Sequence, residues 1–204
     1  MEKQLIVDVL PFVIKPQMIA ESLANNNGRL IVSGPLQRAD SENQNHRIYP
    51  KRILEREVGK YMKMVKERRA LGELDHPDSS IINLQNASHL LTELHWEGND
   101  VVGTIEILST PAGNILKELF KCGVLIGISS RGLGSTKELG GDRVEVGDDY
   151  EILCWDMVSN PSTQGSFVRP MTESVDKTIV KRVVDNRYGK INTLTRDILS
   201  YLNN

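Results

Sequence analysis

Residues 123–135 read GVLIGISSRGLGS. An apolar run from Val124 to Ile128 stops at two serines, an arginine and spaced glycines, the pattern of a buried strand ending in a turn. On that reading Ser129 and Ser130 sit where a core strand surfaces. The strand would hold a hydroxyl in place, and glycine would let a substrate come close. A plain structural turn is the simpler reading of these residues alone. What argues against it lies at His76 upstream and Asp156 downstream.

Working outward, TPAGNILKELFKCG (110–123) predicts a short helix feeding the serine strand, with Thr110 as N-cap, Pro111 in its first position and Gly123 as its stop. Before it, SHLLTELHW and VVGTIEIL predict a hairpin turning at Gly98-Asn99-Asp100. ALGELDHPDSS is a short strand ending in a turn at Pro77, and Pro50 opens a helix over 51–69 with Leu54, Val58, Tyr61, Met62 and Val65 on one face. Residues 3–10 and 29–38 read as strands, followed by the polar loop RADSENQNHRIYP. After the glycine-rich connection to Gly141, DRVEVGDDYEILCWDMV predicts two strands joined at Gly147-Asp148-Asp149. From Met171 the composition changes: residues 174–204 carry six Lys/Arg against three Asp/Glu. That shift divides the chain into a domain over 1–170 and a C-terminal tail over 171–204, either separable or docked as a terminal helix.

The 204 residues suffice for one domain with a substantial core, and a charge of −2 offers no case for a nucleic-acid or membrane partner. No apolar run approaches the roughly 20 residues of a membrane span, and the N-terminus lacks the pattern of a secretory signal. Cys122 and Cys154 suit a reducing compartment and sit in no metal-binding or redox spacing; Cys154 reads as core. The expectation is a cytoplasmic chain.

Three residues suggest chemistry together. In YEILCWDMV, alternation groups Ile152, Cys154, Asp156 and Val158 on one face, so Asp156 would be buried and in need of a hydrogen-bond donor. A histidine at a strand end, such as His76, supplies one. With a serine from a third strand they form an acyl-transfer set: histidine as base, aspartate as its orienter, serine as nucleophile. Backbone N–H groups after Ser129, over Ser130, Arg131 and Gly132, are candidate oxyanion or substrate-binding donors. His89 and His95, six apart in a strand and hence on one face, hint at a metal, but no third ligand has suitable spacing, so no metal or other cofactor is expected.

The motifs GELDHP (72–77), TPAGNILKELFKCGVLIGISSRGLGS (110–135) and WDMVSNPS (155–162), with NHRIYPKRILE (45–55) and WEGNDVVGTIEIL (96–108), resemble the prohead, or procapsid maturation, serine proteases of tailed bacteriophages. The likeness is to the large-myophage branch, runs in order over about residues 30–170, and extends in fold to the herpesvirus assemblins. Residues 1–29 and the tail carry no motif of it. The resemblance implies an α+β fold, a small, mainly antiparallel β-barrel flanked by helices. It also implies His76 as base, the first serine, Ser129, as nucleophile, and Asp156 as third member, where assemblin-like members have histidine.

The resemblance further implies cleavage of scaffold, core and capsid precursor proteins, and of the enzyme itself, inside the prohead within the host bacterium. Glutamate before the cut bond is expected, with an apolar residue two positions earlier. Met171-Thr172-Glu173 fits at the domain–tail boundary; Leu71-Gly72-Glu73, Leu91-Thr92-Glu93 and Leu116-Lys117-Glu118 fit inside core elements. Arg131 and Arg47 are candidate partners for such a glutamate. A non-catalytic assembly protein on a related barrel is the alternative, and oligomeric state stays open.

Overall fold

The computed structural model describes residues 3–77 and 79–159. The tail boundary near Pro170, Glu173 and the last residues of WDMVSNPS lie outside them. The element order is β1 (Gln4–Phe12), α1 (Pro16–Asn25), β2 (Leu30–Arg38), β3 (Arg47–Ile48), α2 (Lys51–Lys66), β4 (Leu71–Glu73), β5 (Ala87–Glu97), β6 (Asp100–Ile107), α3 (Pro111–Lys121), β7 (Ile126–Gly134), β8 (Thr136–Gly140), β9 (Arg143–Val146) and β10 (Glu151–Val158). Among the described residues the strands form three sheets, ordered β1-β7-β10, β2-β6-β5-β4 and β3-β9-β8. All pairs are antiparallel except β3 with β9.

No single closed ladder joins these sheets. The two larger ones meet at a parallel bridge between Leu74 and Met157 on one side. On the other, β1 lies on β2 through Phe12, whose ring leaves no room for a side chain at Gly34. The fold is therefore mixed α and β with mainly antiparallel sheets and three helices.

The helices form where the sequence predicts, with one addition. Thr110 caps α3 by accepting from the Gly113 N–H at 3.0 Å, with Pro111 in the first turn. The backbone of Pro50 caps α2, which ends at Lys66 and turns through Arg68 in the left-handed region. On α2, Leu54, Val58, Tyr61 and Val65 are buried, at about 1.5–3 kcal/mol for each fully buried large apolar side chain. Tyr61 stands edge-on to Trp155, with ring centres 5.0 Å apart. Helix α1 was not expected; Pro16 opens it, but only Ile19 is buried along its ten residues, so the apolar period is faint.

The serine strand departs from expectation in a way that matters. It runs from Ile126 to Gly134, while Val124 and Leu125 are exposed. Ser129 and Ser130 therefore lie in the middle of a central strand, not at its end. The glycines are part of the strand: a Cβ at Gly132 would fall 2.5 Å from the Tyr150 ring, and Gly134 backs the same residue. What reads as a loop is a strand thinned to admit an aromatic ring. The connection beyond it is also paired, as β8, which turns into β9 through Gly140, Gly141 and Asp142, all at positive φ.

Two β-bulges reset the alternation of side chains. In β10 the register slips between Ile152 and Cys154, so Ile152 lies opposite Gly132 while Cys154 lies opposite Arg131. Ile152 thus faces away from Cys154 and Asp156, contrary to plain alternation. In β5 the slip falls between Leu91 and Glu93. It places His89 and His95 on opposite faces, the first buried and the second exposed.

Candidate active site

Asp156 on β10 lies directly opposite Ser129 on β7, so the two side chains share a face of the sheet. His76 reaches the same face from the segment after β4. That segment is held by the Leu74 bridge and by the Asp75 N–H donating to the Met157 carbonyl at 2.8 Å. Asp75 adopts φ 71°, a left-handed turn that aspartate tolerates, and its carboxylate accepts from the His76 N–H.

The result is an ordered line of three groups. His76 Nε2 is 2.6 Å from Ser129 Oγ, and His76 Nδ1 is 3.1 Å from Asp156 Oδ2. The second contact is an ion-pair distance lying off the line of a straight hydrogen bond. With the proton on Nδ1, facing Asp156, Nε2 is free to accept from the serine hydroxyl. Ser129 is 0% exposed, and the His76 side chain 21%. Ser130 points to the other face, where its hydroxyl lies 3.4 Å from the Asp8 carbonyl and beside the Tyr150 hydroxyl.

Asp156 is buried yet well supplied with donors. Its Oδ1 accepts from the Glu73 N–H at 2.9 Å, from the Cys154 thiol at 3.3 Å and from Arg131 at 3.3 Å. Burial pushes its pKa up, but His76, the Glu73 N–H, the Arg131 charge and the thiol together outweigh that. The carboxyl is held below its ordinary value of 3.8. Burial pushes the Cys154 thiol up, so it stays protonated and able to donate.

Three expected binding residues occupy other roles in the fold. Ser130, Arg131 and Gly132 are paired on both sides, opposite β1 and β10, so they are not a loop of free N–H groups. The Arg131 guanidinium is 0% exposed; it donates to Glu73 at 2.9 Å and to the Ser79 carbonyl at 2.7 Å, and its Nε is 3.0 Å from Asp156. Arg47 is likewise engaged, with Asp8 at 2.7 Å and the Val7 carbonyl at 3.1 Å. Tyr49 and Asn45 also donate to Asp8, closing the polar loop onto β1. Neither arginine offers a free charge to a substrate carboxylate. Glu73, buried in this network, is the residue that sequence reasoning overlooked.

His89 belongs to the core. Its Nε2 donates to the Trp155 carbonyl at 2.9 Å, and its Nδ1 faces the Ser88 hydroxyl at 2.8 Å. His95 pairs with Glu97 at the surface. Among the described residues no group of three or more His, Cys, Asp or Glu is placed to hold a metal ion. Burial lowers the pKa of His89 to about 4, against partial opposition from Asp156 and the Trp155 carbonyl.

The unfolded imidazole, titrating near 6.5, thus binds a proton that the folded one refuses. Stability is full above that pH and falls as pH drops toward about 4, by at most about 3 kcal/mol. His89→Gln keeps a donor for the Trp155 carbonyl and removes the titration. Urea midpoints from pH 7 down to pH 4.5 are expected to fall less steeply in this variant than in the wild type.

The chain is similar to known proteins over most of its length. The chain is 34% identical over 151 residues to the prohead core protein protease of Enterobacteria phage T4, covering 71% of each. Its structure matches that of the bacteriophage T4 capsid assembly protease at a TM-score of 0.69 and 26% identity, over 79% of this chain and 100% of the other. The family model described as prohead core protein serine protease matches residues 2–176, and the chain belongs to that family.

Proposed function

We propose that the chain is a serine endopeptidase in which Ser129 is the nucleophile, His76 the general base and Asp156 the orienting acid. The observation that carries this is the continuous line Ser129 Oγ, His76 Nε2, His76 Nδ1, Asp156 Oδ2, at 2.6 and 3.1 Å. His76 takes the serine proton as Oγ bonds to the substrate carbonyl carbon. The imidazolium, stabilised by Asp156, returns that proton to the leaving amine as the peptide bond breaks. Water then repeats the sequence on the acyl-enzyme and releases Ser129. No cofactor enters this chemistry. The two larger sheets, joined at the Leu74 bridge and packed together at Phe12, fit an opened form of the expected barrel.

A role for this activity in capsid assembly is supported by the likeness to a prohead core protein protease and a capsid assembly protease. We read the substrates as scaffold, core and capsid precursor proteins within the prohead, cut after glutamate. Glu73, Glu93 and Glu118 lie in β4, β5 and α3. Self-cleavage is therefore proposed at Glu173, releasing the tail from the domain; neither nucleic acid nor membrane has a part in it. The reaction class is tested with a fluorophosphonate probe, followed by intact mass and peptide mapping. One adduct on Ser129, formed at a rate that rises as the base loses its proton, is expected. An unlabelled chain with no peptidase activity would favour the assembly-protein reading.

A further inference from the structure

Arg131 and Glu73 are both 0% exposed, and the proposed catalytic steps use neither. Their contacts converge on the segment that carries His76. Glu73 Oε1 receives Arg131 Nη2 at 2.9 Å and the Asn83 N–H at 3.0 Å, while Arg131 Nη1 reaches the Ser79 carbonyl at 2.7 Å. Chain positions 73 and 79, on both sides of His76, are thereby tied to one guanidinium, and position 83 is tied to it through the Glu73 carboxylate. That guanidinium also contacts Asp156 through Nε and Nη2, and the Glu73 N–H completes the circuit at Asp156 Oδ1.

We propose that Arg131 and Glu73 are positioning residues of the peptidase: their buried ion pair clamps the His76 segment onto β7 and β10, and the guanidinium offsets the charge of Glu73 while it holds the Asp156 carboxylate facing His76. This inference rests on the serine-peptidase reading. It reassigns Arg131 from the substrate side of the nucleophile to the reverse side of the dyad. With both carboxylates ionised and the imidazole neutral, the cluster carries one net negative charge, which disappears when His76 takes the serine proton. Arg131 thus lets a second buried carboxylate sit beside the dyad without doubling that charge.

The test is the rate of fluorophosphonate labelling of the full chain, followed by intact mass between about pH 5 and 8. The groups facing the dyad are Asp75 beside His76, Glu73 from β4, Arg131 from β7, Cys154 from β10, His89 from β5 and Tyr61 from α2. Burial keeps Cys154 and Tyr61 protonated and His89 neutral across most of that range. Arg131→Met removes a positive charge from beside the dyad, so the acid limb of the profile is expected at higher pH than in the wild type. Glu73→Gln removes a negative charge and is expected to move it the opposite way.

The neutral pair Arg131→Met with Glu73→Gln removes both members of the ion pair together, leaves Asp156 its contacts with His76, the residue-73 N–H and the Cys154 thiol, and serves where Arg131→Met alone fails to fold. It is expected to retain the wild-type circular dichroism while labelling about 10²-fold more slowly, because the clamp is gone. Arg131→Lys is expected to restore the position of the acid limb but only part of the rate. Acid limbs that coincide with wild type in the single variants, or a paired variant that labels at the wild-type rate, would overturn the proposal. A wild type that does not label at Ser129 would instead overturn the peptidase reading.

Discussion

Ser129→Ala is expected to lower the rate of peptide cleavage by about 10⁶-fold while leaving the fold intact. The substitution deletes one hydroxyl that contacts His76 and, more distantly, the Asp8 carbonyl at 3.3 Å. The imidazole it abandons is partly exposed, so water can replace the lost partner, and the change in stability should stay near 1 kcal/mol. Intact mass over time, on wild type beside this variant, also reads the tail proposal. Shortening of wild type alone, with a new end at Glu173, is the expected result. Shortening of both would move the nucleophile to Ser130 or implicate another protease.

Asp156→Asn is expected to cost about 10⁴-fold in kcat, for a reason visible in the donors around it. Oδ1 is surrounded by three donors, the Glu73 N–H, the Cys154 thiol and Arg131 Nη2, against Arg131 Nε alone beside Oδ2, so the asparagine oxygen takes the Oδ1 side. Its NH₂ group then faces His76 Nδ1, which must accept rather than donate. The ring proton moves to Nε2, where it blocks transfer from Ser129. The variant also separates catalysis from stability. Because the folded carboxyl lies below its ordinary 3.8, its ionised form stabilises the fold above that pH, and this contribution disappears as pH falls through the folded value. Denaturant midpoints for Asp156→Asn should therefore show a weaker decline in that acid range than wild type.

The three groups of this line were legible in the sequence because each stands at the edge of a local pattern: His76 before Pro77, Ser129 after an apolar run, Asp156 in an alternating strand. Helices α2 and α3 were legible for the same local reason. What was hidden depends on pairing between distant strands. Arg131 looks solvated beside glycines until Glu73 and Ser79 are brought to it across 58 and 52 residues. The glycines of β7 look like a loop until Tyr150 is placed beneath them. The shared face predicted for His89 and His95 fails because one extra residue near Thr92 reverses the alternation, and no propensity announces a bulge.

The bulge in β10 has an arithmetic consequence. Counted regularly from the pair Glu151–Leu133, the residue opposite Ser129 would be Trp155, and Asp156 would point to the other side of the sheet. The surplus residue at Leu153 changes the parity of the count midway along one strand. The first half of β10 can then set Tyr150 under Gly132 and Gly134, while the second half presents a carboxylate to the serine. Grafting Ser129, His76 and Asp156 onto an unbroken β-ladder with the same ends would therefore put an indole where the acid belongs. A transplanted version of this site must carry its odd residue with it.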